Sequence, residues 1–318
     1  MQEKCRSTAL IIGRSQHMYE DFGTILSRGF NSWFRNLNIC IPFILNFLIN
    51  MFTYVLFIGL ISVLLFTSST GSIIDPATLS NKEILSVLWD GFSDNFGLSL
   101  FLILGFSLFV IFVHSFFTAG AIGMAKKASE TGDAGIFDML VSSSKNTFRL
   151  FLAVLLTTLL LLVGVIFIVP GAFAVGDLSM LIQNPEASVK GVMALGIGFI
   201  LWTAYIVILN LALSLSSYAI VIDELGPLEA LSESFRFFTN NKLDVFLIWI
   251  ITIGLTTIGG LVNEFVNSGN TLFTLIISLI PIVILQPLTA VLWTRLYMAR
   301  KGRKLYDPSD LLSYPDNF

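Results

Sequence analysis

Long stretches without a single charged side chain alternate with short polar ones along this chain. Six uncharged runs, at about residues 39–66, 97–120, 150–176, 191–222, 245–263 and 271–294, dominate the pattern. Each reaches the ~20 residues that a helix rising about 1.5 Å per residue needs to cross about 30 Å of hydrocarbon. The fifth run has least to spare. The fourth, at 32 residues, is too long for a straight crossing and must tilt, kink or begin among the headgroups. The pattern predicts an all-α polytopic membrane protein with six transmembrane helices.

The polar stretches between the runs have a pattern of their own. In GPLEALSESFRFFTNN (226–241), Leu228, Leu231, Phe235 and Phe238 recur at helical spacing, with Glu229, Glu233 and Arg236 elsewhere, and Pro227 suits a first helical turn. This predicts an amphipathic helix lying on the membrane with its apolar stripe down. DFGTILSRGFNSWFRN (21–36) carries Phe22, Ile25, Leu26, Phe30, Trp33 and Phe34 in the same way, and GIFDMLVSSSKNTFR (135–149) carries Phe137, Leu140, Val141 and Phe148. Aligning Leu26, Leu140 and Leu231 superimposes Phe30, Ser144 and Phe235, then Phe34, Phe148 and Thr239. The second and sixth runs also leave as MAKK (124–127) and MARK (298–301). The expected organisation is three weakly repeated hairpins, at about 21–127, 135–222 and 226–301, each preceded by a cytoplasmic amphipathic interfacial helix. Together they make one membrane domain over 21–305, between cytoplasmic tails at 1–20 and 306–318. In the longest loop, 67–96, Ser80 and Glu83 stand in capping-box spacing ahead of an apolar face ending at Phe92, which predicts one more short helix.

Composition strengthens the membrane reading and charge gives it a direction. Apolar residues make up 55% of the 318 and charged ones 12%, about half the share usual in soluble proteins. Of the 18 Lys and Arg, all but Lys82 and Lys190 fall before the first run, after the sixth, or in the loops after the second and fourth runs. The positive-inside bias then places both termini in the cytoplasm, in a multi-pass protein of the plasma membrane. The apolar stretch between Arg6 and Arg14 is only seven residues, too short for a secretory signal. Cys5 and Cys40 form no CxxC and no disulfide framework, and Cys40 reads as a packing residue.

VPGAF (169–173), followed by SYAIVIDELGPLEALSESF (217–235), resembles a broad superfamily of six-span proteins. That superfamily includes the membrane domain fused to some glycerophosphoryl diester phosphodiesterases and related inner-membrane families of unknown function. The matching features are Pro170-Gly171, Tyr218-Ala219, Asp223, and Ala230-Leu231 with Ser234. The resemblance implies a membrane domain without its own hydrolase. Physical roles suffice for these residues: Pro170-Gly171 to end a helix, Asp223 to face a helix N-terminus, and Ala230 with Ser234 to admit a close neighbour.

Candidate chemistry is sparse. The two histidines are His17 and His114, and no HExxH, GxSxG, CxxC or P-loop occurs, so no enzyme activity, catalytic residue, metal site or cofactor is expected. Polar residues do form stripes within the runs. Asn46, Asn50, His114, Asn210 and Gln286 are the candidates for an intramembrane polar cluster, with Thr252, Thr256, Gly259 and Asn263 marking a further stripe. Such stripes serve either as helix contacts or as a hydrated path. Two functions compete: a non-catalytic membrane module organising lipid or a partner protein, and a transporter of a small neutral or amphipathic solute. The expected partners are membrane lipids and, as a second class, another membrane protein, with no role for nucleic acid. On the first reading Arg28, Arg35, Lys145, Arg149 and Arg236 meet anionic lipid.

Overall fold

The computed structural model describes residues 20–68, 89–175, 189–266 and 279–306, and among these the regular structure is all helix. The tails apart from Glu20 and Tyr306, and the Ser80–Glu83 start of the helix expected in the 67–96 loop, lie outside the described residues, as do the side chains of Gly259 and Asn263. Helix α1 (Phe22–Arg35) leads through a 3₁₀ turn at Leu37–Cys40 into α2 (Ile41–Ser68). Helix α3 (Phe96–Thr131) returns, and α4 (Ile136–Val163) continues through a second 3₁₀ turn into α5 (Val169–Val175). Then come α6 (Val189–Leu213), α7 (Ser216–Asp223), α8 (Pro227–Asn240), α9 (Lys242–Val266) and α10 (Gln286–Arg300), the last entered by a π-helical turn at Pro281–Leu285.

Among the described residues, five helical stretches are long and apolar enough to cross a membrane: Leu37–Val63, Phe96–Thr131, Ile136–Ala174, Gly191–Asp223 and Pro281–Arg300. The fifth run of the sequence, in α9, qualifies only together with α8, and the two axes meet at 102°. The overlong fourth run is broken at Ser214-Leu215, between α6 and α7.

The three amphipathic stretches do not enter their following helices alike. Asn36 ends α1 at φ −121°, ψ 61°, and Asn241 ends α8 at φ −128°, ψ 42°. Each carboxamide turns back to a carbonyl four residues earlier, Asn36 to Ser32 (2.9 Å) and Asn241 to Phe237 (3.1 Å). Asparagine breaks a helix readily because its side chain can replace a backbone partner. Leu150 occupies the corresponding position of the middle stretch and supplies no such bond. The expected separate surface helix at 135–149 is therefore the first half of α4, continuous with the apolar half that follows.

Packing is concentrated at one end of the helices. The most apolar stretch of Leu37–Val63 has none of its residues buried against protein, whereas 61% of that in Pro281–Arg300 is buried. Two clusters account for the difference. One joins Ile25, Leu150, Leu215, Ile248, Trp293 and Leu296; the other joins Trp33, Ile39, Met124, Met139 and Leu292. Large apolar side chains along α2, α3 and α6, such as Phe52, Phe101 and Ile200, remain exposed. Water would penalise so much exposed apolar surface, and acyl chains cover it at no cost. The protein is membrane-embedded.

Candidate functional site

The candidate polar residues within the apolar helices bond mostly within their own helix, while the Asn50 Oδ1 and the Thr252 Oγ1 are buried without a partner among the described residues. Asn50 donates to the Asn46 side chain (3.0 Å), Asn210 to its own Ile206 carbonyl (2.9 Å), and His114 lies 3.4 Å from Thr118 one turn away. Gln286 is exposed. Among the described residues, only Asn46 and Asn50 of the five candidates are joined to each other by a hydrogen bond. An open apolar cleft of about 310 Å³ between α2 and α3 is lined by Thr53, Phe57, Phe101, Gly105 and Phe106, and by none of the five.

Small residues dock each amphipathic stretch onto a neighbour. Gly29 of α1 faces Leu292 of α10, where an added Cβ would come within 2.7 Å of the leucine side chain. Ser143 of α4 donates to the Phe116 carbonyl of α3 at 2.8 Å. Ser234 of α8 donates to the Ala212 carbonyl (2.8 Å) and accepts from the Leu215 N–H (3.2 Å). That hydroxyl thus supplies a partner to backbone groups on both sides of the break between α6 and α7, groups that would be costly to bury unpaired. Gly29, Ser143 and Ser234 are equivalent in the alignment of the three stretches, and all three are buried. Ala230, also fully buried, lies one turn before Ser234 on the same contact face.

The outward faces are equally regular. Phe30, Phe34, Phe137, Phe148, Leu228 and Phe235 are exposed, while Ile25, Met139 and Ala230 at the next equivalent position are buried. The apolar stripes are thus divided between a protein-facing edge and an outer edge.

The remaining motif residues take roles different from those expected. Pro170 stands in the first turn of α5, and a Cβ on Gly171 would lie 2.5 Å from the Leu195 backbone nitrogen. The Pro-Gly pair therefore lies within the helical stretch Ile136–Ala174, after its 3₁₀ segment at Gly164–Phe167, and lets α5 touch α6. Asp223 ends α7 instead of facing the N-terminus of α8, where the Glu229 carboxylate accepts the Gly226 N–H at 3.1 Å. Asp223 accepts from the Tyr297 hydroxyl (2.6 Å), pairs with Arg303, and lies 3.4 Å from Lys301.

Asp223 belongs to a layer of ion pairs that periodicity does not reveal. Glu20 receives Arg295 at 2.6 and 3.1 Å and Arg28 at 2.9 Å. Arg295 is 1% exposed, so its charge is held almost entirely by protein. Arg300 binds Asp244 (2.6 Å) and the Glu20 carbonyl (2.8 Å), and Glu233 pairs with Lys301 and Arg236. Arg35 donates to the Tyr306 hydroxyl at 3.2 Å. Lys145 pairs with Glu224 at 2.6 Å, and Arg149 donates to the Glu224 carbonyl at 2.9 Å. The hydrogen bond and positive charge of Lys145 hold the Glu224 carboxyl below its ordinary range. Glu224 has φ 59°, a left-handed conformation uncommon without glycine, and its two basic partners fix it there. All five basic residues expected to meet lipid thus have protein partners.

Between the ends of α3, α4 and α7 lies a pocket of about 290 Å³. Lys126, Lys127, Asp138, Ser142, Lys145 and Asn146 contribute to its wall, and Phe137 and Val141 stand at its apolar side. Lys126 donates to the Ile222 carbonyl at 3.2 Å, and Lys127 has no partner among the described residues. Asn146 is 3% exposed; its amide nitrogen donates to the Ser142 carbonyl (3.1 Å), but its Oδ1 finds no donor among the described residues.

Comparison with known proteins adds a family without an activity. Residues 99–296, from α3 to within α10, match a family described as a domain of unknown function (DUF7847). No curated protein and no solved structure matches the chain.

Proposed function

Since the chain belongs to the DUF7847 family, whose description assigns no reaction, we propose on physical grounds that it is a non-catalytic membrane module that organises phospholipid at the cytoplasmic leaflet. In this reading residues 21–305 form one domain of six spans in the plasma membrane, with α9 as the fifth and both termini cytoplasmic. The basic loops supply the orientation. The three hairpins are repeats, and the equivalence of Gly29, Ser143 and Ser234 as docking points supports that. The resemblance to the membrane domain of glycerophosphoryl diester phosphodiesterases rests on Pro170-Gly171, Asp223, Ala230 and Ser234, whose contacts are all structural.

The observation that carries the lipid role is the set of rings left outside: Phe30, Phe34, Phe137, Phe148 and Phe235 are exposed on helices whose opposite edges are docked. Aromatic rings there would enter the boundary between headgroups and acyl chains. Transport of a small neutral or amphipathic solute would draw on Asn46, Asn50, His114 and Asn210, whose local hydrogen bonds favour packing instead.

The test is depth. Cys5 and Cys40 are replaced by alanine, and nitroxide labels are placed at Phe34→Cys, Phe148→Cys and Phe235→Cys in protein reconstituted into liposomes, with exposed Asp133→Cys as the aqueous reference. The three ring positions should collide more often with oxygen than with a water-soluble nickel chelate. Collision ratios equal to those at residue 133 would remove the basis of the lipid role.

A further inference from the structure

Deepening the lipid reading above, on which it rests, we propose that the pocket between α3, α4 and α7 is a binding site for one phospholipid headgroup, a phosphodiester that also carries a hydrogen-bond donor. Three features of its wall specify that chemistry. First, Lys126 and Lys127 present two ammonium groups with no carboxylate within 4.0 Å among the described residues, whereas Lys145 is already engaged by Glu224. A phosphodiester oxygen is the complementary ligand for a pair of ammonium groups that have no acidic partner.

Second, Asn146 lines the pocket with a buried, unpartnered Oδ1. A buried acceptor left without a donor is expensive. An ethanolamine ammonium or a glycerol hydroxyl would satisfy it, and a trimethylated choline has no N–H to offer. Third, Phe137, 77% exposed, and Val141, 50% exposed, border the same pocket on the outer edge of α4. Acyl chains attached to the bound headgroup would run over them. A soluble phosphate ester would use the first two features and leave the third idle.

Three carboxylates share the wall, and none forms an ion pair with Lys126 or Lys127. Asp138 accepts the Gly135 N–H at 2.9 Å and so serves the start of α4, Glu224 is held by Lys145, and Glu130 lies beyond 4.0 Å of either ammonium group. Close helix contact fixes the wall: Cβ atoms on Gly120 and Gly123 of α3 would come within 2.6 Å of Ser143 and Ser142 of α4.

The full chain in detergent, offered equal amounts of dioleoyl phosphatidylethanolamine, phosphatidylglycerol and phosphatidylcholine, tests the proposal by native mass spectrometry. The wild type should retain one ethanolamine or glycerol lipid in preference to choline. Lys127→Gln, at an exposed position, should lower that retention about fivefold, the equivalent of one surface charge at ~1 kcal/mol. Phe137→Ser should lower it too, and Asn146→Ala should bring ethanolamine lipid down to the level of choline lipid. Thermal unfolding of Lys127→Gln and Phe137→Ser matching the wild type excludes misfolding as the cause. Unchanged retention in all three variants would overturn the site. Competition by glycerol 3-phosphate as effective as that of the lipids would overturn its assignment to a lipid. Either result leaves the label depths at residues 34 and 235 untouched, so failure here is distinct from failure of the membrane-organising role.

Discussion

At the scale of single residues, Arg295 and Ser234 show how much depends on one partner. Arg295 is the largest fully buried charged side chain among the described residues, and its ionic partner Glu20 lies 275 positions earlier. A buried guanidinium is tolerated because the carboxylate receives it through two nitrogens, while removal of one partner leaves an uncompensated charge. Glu20→Ala should therefore destabilise the protein by about 3–5 kcal/mol, read as unfolding free energy in mixed dodecyl maltoside and SDS micelles. Adding Arg295→Met to that variant should restore most of the loss, because the orphaned charge is gone. A loss below ~1 kcal/mol for the single variant, as for a surface pair, would show that the pair is not closed in the membrane. Periodicity placed Arg295 among the basic residues at the end of the last apolar run and gave no sign of its burial. Ser234 was legible as a small residue that admits a neighbour, but its double bond to Ala212 and Leu215 depends on where α6 breaks.

At the scale of elements, hydropathy located the apolar helices well and their ends less well. The amphipathic stretches were visible because apolar residues recur every three or four positions. Whether each becomes a separate helix was decided ten residues beyond the aligned leucine, by asparagine at 36 and 241 and by leucine at 150. Pro170-Gly171 does not end the helix the pattern expected it to end, because proline also fits a first helical turn and the helical stretch runs on through it to Ala174. The contact of α5 with α6 gives a paired prediction. Gly171→Ala would set a Cβ at 2.5 Å from the Leu195 backbone, whereas an added Cβ at Gly196 meets nothing within 4 Å. Both changes gain helix propensity, but only the first forces two backbones apart, at about 1–3 kcal/mol. Gly171→Ala should lower the thermal midpoint and Gly196→Ala should hold or raise it; equal midpoints would refute the close approach.

At the scale of the whole molecule, the amphipathic stretches link the helices into a closed order. The first half of α4 docks on α3, α8 docks on α6 and α7, and α1 docks on the last helix, α10. The ion pairs of Glu20, Asp223, Glu233 and Asp244 with residues of α10 and the segment after it fasten the same end. In the six-span arrangement Ser27, Ser144 and Ser232, one exposed serine on each amphipathic stretch, share the cytoplasmic face. Single cysteines placed there should react with an impermeant maleimide in inside-out vesicles and stay unlabelled in right-side-out ones. Labelling of any one from the outside would refute the common orientation.

The sequence by itself determined what depends on neighbours along the chain: the long apolar helices, the amphipathic stretches with their small docking residues, and the gathering of basic side chains between them. Solvent and hydrocarbon select those features through spacing alone. Only the tertiary structure decided which charges pair, which asparagines keep an unpartnered oxygen, and which lysines stand outside the ion pairs. Those outcomes depend on distances between residues far apart in the chain, and no local pattern encodes a distance of that kind.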